Sequence, residues 1–554
     1  MKFNLQLFAT IDNAESERNV NGTSENDSIT SSGVNVTING GAGNDTINSN
    51  NPDGAGGVIY GGDDHDSIVN SGAYATIYGG NHNDIISHKG DNSAVYGESG
   101  NDSINTTGEN VLVDGGVGDD SIRNYSSNVT INGGTGNETI HSEGSNVPIN
   151  IGDGHHSVYS YGNNVTINGG NGNSSVTSKG DTVPMYFGDG HIRITNNGSY
   201  VTINSGVGND TITNNRGSNV RITTGNGNNY ISSSGSNVSI TAGNGDNDIT
   251  SFGNDVTITA GDGDNNIYSS GEHVTIKAGD GKNYIRSIKG TYVKIDSGTG
   301  NGNDIISAGD GQYIIVNSYD GDDSLATFKN NYDASNITLE AGAGNDSLSN
   351  SGAHDVVMNG GAGNDYFYNT GGTDITMNGG EGDDIFQNYG PNVLINGGAG
   401  NDTIDNQGNT AGLNGHTSVY GGAGNDLIRN RGDNVTVIAG EGNDYIDGET
   451  RDGAVYLYNS GDGKDTIHGF QANDTLVIGS GTYTTTKSGD YLIVRVGEGY
   501  LYLKGAANIT PIIKGTLGDS SDTSVPEIAK SSIDLAVLGE TIRNYSNEDR
   551  KSVV

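Results

Sequence analysis

Residues 392–409 read NVLINGGAGNDTIDNQGN, and the stretch is lopsided: Gly397, Gly398 and Gly400 lead to an acid at Asp402, whereas the second half has only Gly408 among amides. The same turn begins at Gly115, Gly133 and Gly169, and again at Gly379 and Gly397, in steps of 18, 36 and 18 residues. Degenerate copies keep the beat at Ile151, Phe187, Ser205, Ala242, Ala260 and Ala278, where the first glycine is replaced and the second remains. Self-similarity at a fixed period marks a repeat architecture. Longer insertions interrupt the beat at Asn50 to Gly57 and around Asn409 to His416, and these read as loops bulging from a regular stack.

Within one unit the apolar residues alternate, as in Val393 and Ile395 and then Ile404, which is the period of short strands. A unit of two strands and two turns has too few inward side chains to bury its face alone, so neighbouring units must stack. The expected fold is all-β, a parallel β-roll or β-solenoid with 18 residues per coil. Gly40 to Asp465 holds about two dozen coils, a rod on the order of 110 Å long at a strand spacing of about 4.8 Å.

Composition requires something besides apolar burial. Of 554 residues 93 are glycine and 31% are apolar, and 67 acids against 26 bases leave a formal charge of −41. Such a chain is ordinarily disordered, because it cannot bury enough apolar surface to offset its conformational entropy. Its field repels nucleic acid and anionic headgroups and attracts small cations. Cysteine is absent, which excludes disulfides, thiolate sites and a structural zinc of the usual kind. The N-terminus, MKFNLQLFATIDNAE, is too short and interrupted for a secretory apolar run, and no eighteen-residue apolar run follows. The sequence contains no HExxH, GxSxG or GxxxxGK[ST] pattern, so catalysis is not expected.

Attention therefore falls on the turn. Glycines at Gly397, Gly398 and Gly400 suit a backbone of positive φ or close stacking, and leave carbonyl oxygens directed at the neighbouring coil. Stacking sets successive acids one strand spacing apart, so that two carboxylates and several carbonyls converge. Like charges so close repel unless a cation intervenes. Oxygen ligands in an adaptable cage suit calcium, whereas magnesium demands a tighter octahedron.

The motif GGAGNDTI at Gly40 and Gly397, and GGAGNDLI at Gly421, resembles the GGxGxDxUx nonapeptide of the RTX, or haemolysin-type calcium-binding, family. The resemblance extends over most of residues 20–515 and implies calcium between successive turns on one side of a parallel β-roll. Carried over position by position, it implies carboxylate ligands at Asp45, Asp66, Asp84, Asp102 and Asp120. A second block has Asp323, Asp346, Asp365, Asp384, Asp402, Asp426, Asp444 and Asp465. Between the blocks Glu138 is a longer substitute, and His156, Ser174 and Ile192 then stand in the acid's place. Asn229, Asn247, Asn265 and Asn283 follow after an isolated Asp210, and Asp304 belongs to an offset turn. Asparagine keeps a neutral oxygen without the charge, and Ile192 offers no ligand.

The familiar family form repeats the nonapeptide on both sides of the roll, but here it occupies one side only. Opposite turns read SSNV at Ser126, GSNV at Gly144 and Gly235, and PNV at Pro391. Their recurrent asparagine is expected to form a hydrogen-bonded ladder. The 28 tyrosines, among them Tyr60, Tyr78, Tyr366, Tyr420 and Tyr445, read as outward aromatic ladders, with adhesion to carbohydrate or a surface as the alternative. Among the 11 histidines only His155 and His156 are adjacent, and neighbours on a strand face opposite ways.

The expected organisation is an N-terminal cap (1–30), calcium-type repeats (31–138), degenerate repeats (139–313) and calcium-type repeats (314–465). A small β-meander cap (466–515) and a polar tail (516–554) follow. The resemblance implies an uncleaved C-terminal export signal for that tail, where EIAKSSIDLAVLGETIRNY allows a short amphipathic helix; a frayed tail is the alternative. The functional expectation is a secreted or extracellular protein, without an N-terminal signal peptide, that folds on binding calcium. It would serve at a surface, in a matrix or in adhesion, with a cell-surface or matrix partner and no membrane span. The alternatives are a metal-indifferent structural solenoid and the calcium module of an RTX-type hydrolase or toxin.

Overall fold

The computed structural model describes residues 9–51, 57–330, 333–408, 416–448 and 453–515. The tail (516–554), most of both insertions and the first eight residues therefore lie outside the described residues. The chain is an all-β parallel solenoid of about 25 coils, each of about 18 residues. Each coil gives one strand to each of two parallel sheets, and each strand pairs with its equivalents in the coils before and after. Ile404, for example, lies in register with Phe386 and Ile428, and Ile395 with Met377 and Val419.

The register follows from side-chain period. Val393, Ile395 and Ile404 are buried while Leu394 and Thr403 face outward, so a one-residue slip would invert every coil. The same inward isoleucines recur at Ile29, Ile47, Ile68, Ile86, Ile104, Ile122 and Ile140, a thin core running along the rod. Toward the C-terminus the core gains bulk, and Phe367 stacks on Phe386 with centroids 4.5 Å apart.

One feature of the sheets was not legible in the sequence. The strand entering the glycine turn is six to nine residues long from Thr37–Ala42 to Thr130–Thr135 and from Ser335–Ala343 to Val435–Glu441. There the pairing continues into the turn, as at Gly41 with Gly62 and Gly398 with Gly422. From Pro148–Asn150 to Val274–Lys277 the equivalent strands have only two to four residues and stop before the turn.

The C-terminal cap is more intimately joined than a simple lid. Strands Tyr483–Ser488, Tyr491–Val496 and Gly499–Lys504 form an antiparallel meander, with Leu492, Val494 and Val496 buried. The last of these pairs in parallel with Lys464–His468, and Ile512–Gly515 pairs in parallel with Thr475–Ile478. The meander is thus inserted into the final coils, and stacking continues past Asp465. A short 3₁₀ turn at Ala506–Asn508 is the only helical element among the described residues.

Outward tyrosines do stack: Tyr60, Tyr78 and Tyr96 have ring centroids 5.0 and 5.1 Å apart. Among the described residues no helix is long and apolar enough to cross a membrane.

Candidate metal centre

All thirteen acids singled out in the sequence lie on one edge of the rod, each at most 2% exposed. Glycine conformation explains how the turn brings them inward. Gly398 and Gly400 have φ of +115° and +137°, which side-chain-bearing residues rarely adopt. Gly397 has ordinary φ but no room: a Cβ there would fall against Asp402 Oδ2 and the carbonyl oxygen of Gly421 in the next coil. The two oxygens consequently face one small space. The same pair of neighbours surrounds Gly40, Gly61, Gly97 and Gly115. Ala341 and Ala439 fill the equivalent place in their coils, so glycine is favoured there without being obligatory.

One oxygen of each acid has a partner. Asp402 Oδ1 accepts the Asp384 N–H at 2.8 Å, Asp426 Oδ1 accepts the Asp402 N–H at 2.8 Å, and the pattern repeats along both blocks. It runs on to Asp465, which accepts the Asp444 N–H at 3.0 Å. The other oxygen is different. In Asp45, Asp66, Asp84, Asp102 and Asp120, and in Asp323, Asp346, Asp365, Asp384, Asp402, Asp426 and Asp444, Oδ2 is buried with no hydrogen-bond partner. Glu138 Oε1 shares that condition. Asp465 is buried in line with the rest, but its Oδ2 is not among these orphaned atoms.

An anionic oxygen without a donor is costly to bury and calls for a cation or a proton. Burial, reinforced by neighbouring acids, pushes Asp84 and Asp465 up to about 8 and Asp66, Asp120, Asp384, Asp402 and Asp444 up to about 7. Among the described residues no three His, Cys, Asp or Glu side chains gather at one point. That follows from the stack, which presents one acid per level. At most two carboxylates border any gap, and the remaining donors are main-chain carbonyls. This all-oxygen set fits a hard ion of calcium's kind.

Among the intervening turns, those with asparagine at the acid's place close themselves, whereas His156 keeps a buried Nε2 without a partner. Asn229, Asn247, Asn265 and Asn283 are buried in the acid's place, and their amide groups are fully used. Ser205 Oγ donates to Asp210 Oδ2 at 2.5 Å. Glu138 N–H donates to His156 Nδ1 at 3.2 Å, and burial lowers the His156 pKa, so the ring is kept neutral. His155, beside it, faces solvent, and the two do not form a chelating pair. Ile192 is buried, and the ring of Phe187 fills the space above Gly169. At the N-terminal end Asp27 is also buried, but Thr23 Oγ1 donates to its Oδ2 at 3.0 Å.

On the opposite edge the expected asparagine ladder exists in part. Asn146 Nδ2 donates to Asn128 Oδ1 at 3.1 Å, both residues having positive φ. A second, buried ladder joins Asn369, Asn388, Asn406 and Asn430 by side-chain hydrogen bonds of 2.8, 2.8 and 3.0 Å. Its sequence signal is an asparagine four places after the acid, as Asn406 follows Asp402.

The family described as RTX calcium-binding nonapeptide repeat (4 copies) matches residues 21–51, 76–93, 96–124, 259–287, 299–315, 350–375, 392–408, 412–429, 420–450 and 458–484. Calcium-binding repeats of this family thus recur across the chain, between residues 21 and 484. No curated protein matches the chain. Among solved structures it is similar to the extracellular lipase LipA from Serratia marcescens at 22% identity and a TM-score of 0.15, over 33% of this chain. The chain spans 43% of that lipase.

Proposed function

We propose that the chain is a secreted calcium-binding repeat protein whose rod completes its folding when calcium enters the acidic edge outside the cell, serving as a surface, matrix or adhesive component. One observation carries this reading: twelve aspartates present a buried Oδ2 without a donor. The ligands are the thirteen acids from Asp45 to Asp465, in the blocks 31–138 and 314–465, completed by turn carbonyls. Calcium binding and folding are then one process, because the gap between coils exists only when they are stacked. A calcium titration of the chelated chain, followed by circular dichroism and calorimetry, is expected to show β structure rising with saturable binding of many ions. Identical spectra and melting in chelator and in millimolar calcium would sink the proposal. That outcome would favour a metal-indifferent solenoid, a reading supported by the self-closed turns between Ser205 and Asn283.

A further inference from the structure

The self-closed turns differ from the acidic ones in backbone as well as side chain. At the second glycine of the turn φ is positive in acidic coils, as in Gly41, Gly380 and Gly398, but not at Gly225, Gly243, Gly261 or Gly279. In this second form the asparagine amide points into a ring of carbonyls. Asn247 Nδ2 lies 3.0 Å from Gly243 O, 2.7 Å from Gly245 O and 2.9 Å from Asn265 Oδ1. Asn265 repeats the pattern toward Gly261 O and Gly263 O, both at 2.9 Å. Asn283 Nδ2 donates in addition to Ser297 O at 2.9 Å, the first-place carbonyl of the next coil. That is the kind of carbonyl which, in acidic coils, faces the orphaned Oδ2. Two donor hydrogens of one amide thus face the main-chain oxygens that a cation would otherwise neutralise, with no net charge buried.

A further ladder replaces the sheet pairing that this region lacks across its turns. Asp262 and Asp280 N–H groups donate to Asn244 and Asp262 Oδ1, each at 3.0 Å. Two positions along the turn, Asp246, Asp264 and Lys282 N–H groups donate to Asn228, Asp246 and Asp264, each at 2.9 Å, a ladder the acidic coils share, as where Asn425 N–H donates to Asn401 Oδ1 at 2.8 Å. Ile249, Ile258 and Ile267 keep the core continuous underneath.

We propose that residues 205–283 form a calcium-independent segment in which side-chain donors do the ion's work, so that it stays folded when calcium is withdrawn and offers both flanks a strand edge on which to rebuild. This rests on the reading that the orphaned aspartates hold calcium. A preformed edge matters because the first coil of a solenoid has no neighbour to bury its face against, whereas each later coil adds to an existing one.

The test is hydrogen exchange with mass spectrometry on the full chain, in chelator and in calcium. Peptides within 205–283 are expected to keep their protection in chelator, while those within 58–124 and 354–447 exchange about 100-fold faster or more, as locally unfolded segments do. Middle peptides that exchange as fast as the flanks in chelator would overturn the inference and leave the calcium reading standing. Unchanged protection everywhere would overturn the calcium reading itself. In the double variant N247D/N265D, middle protection should be lost in chelator and regained in calcium. Protection kept in chelator, or lost in both, would overturn the equivalence of amide and ion.

Discussion

The coils of Asp402 and Asn265 solve one problem in two ways. Both bury a planar side-chain group at the sixth place of a glycine turn, over an isoleucine core, at nearly the same repeat length. In both, the oxygen branch accepts the N–H of the preceding coil, at 2.8 Å for Asp402 and 3.3 Å for Asn265. The second branch separates them. Asn265 presents an amide with three acceptors, and Asp402 presents an anionic oxygen with none. A difference of one atom therefore converts a turn that is complete in itself into one that needs a cation, and stability in the first region is intrinsic where in the second it is conditional.

The largest effects test whether the two regions share one core. Replacing Phe386 or Ile267 by alanine removes a fully buried side chain, at a cost of about 3–5 and 2–5 kcal/mol respectively. Thermal melting in calcium should register both losses. In chelator only Ile267→Ala is expected to shift a transition, because the coils around Phe386 have already come apart. Equal shifts from both variants in chelator would erase the distinction.

A smaller effect, opposite in sign under the two conditions, comes from Asp402→Asn. In calcium it removes a ligand shared by two gaps, and destabilises by about 1–3 kcal/mol. In chelator it removes a charge that opposes closure of these coils, and should raise their hydrogen-exchange protection. Calorimetric stoichiometry should fall by one or two ions. A uniform loss in both conditions would show that asparagine cannot adopt its closed form in the extended-turn backbone.

Much of this was readable beforehand. The 18-residue beat, the inward isoleucines and the acidic edge follow from spacing and alternation, since a solenoid repeats its local rules at every coil. The two backbone forms of the turn did not follow, because Gly243 and Gly398 occupy the same place in the repeat and only tertiary hydrogen bonding separates their φ angles. The buried Asn388–Asn406 ladder was hidden for a related reason. Asparagine is common throughout this chain, and which copies face inward is decided by strand register. Its Nδ2 also donates to Gly390 O at 3.0 Å, closing the return turn from within. Asn388→Ala should therefore cost about 1–3 kcal/mol in calcium, through unsatisfied turn groups on the edge away from the acids. Calcium affinity, read by calorimetry, should stay within a few-fold of the parent chain.

Acidity gives the finest probe of the comparison, because a proton can stand in for the missing cation on Oδ2. The folded-state pKa values of Asp66, Asp120, Asp384, Asp402 and Asp444 are raised to about 7, against about 3.9 in an unfolded chain. Between those limits the folded, metal-free chain binds more protons than the unfolded one, so its stability falls as pH rises. The penalty is fully present above about pH 8, where Asp84 and Asp465 also ionise. It is relieved progressively as pH falls through 7 and 6. In chelator, the flanks should therefore recover β structure and hydrogen-exchange protection at pH 5 relative to pH 8, while the Asn229–Asn283 turns, which carry no acid at that place, should change little. Calcium affinity should move the other way and weaken toward pH 5, since ion and proton compete for the same oxygen. Flanks that became less protected on acidification in chelator would show that the orphaned oxygens are not what holds the metal-free rod open.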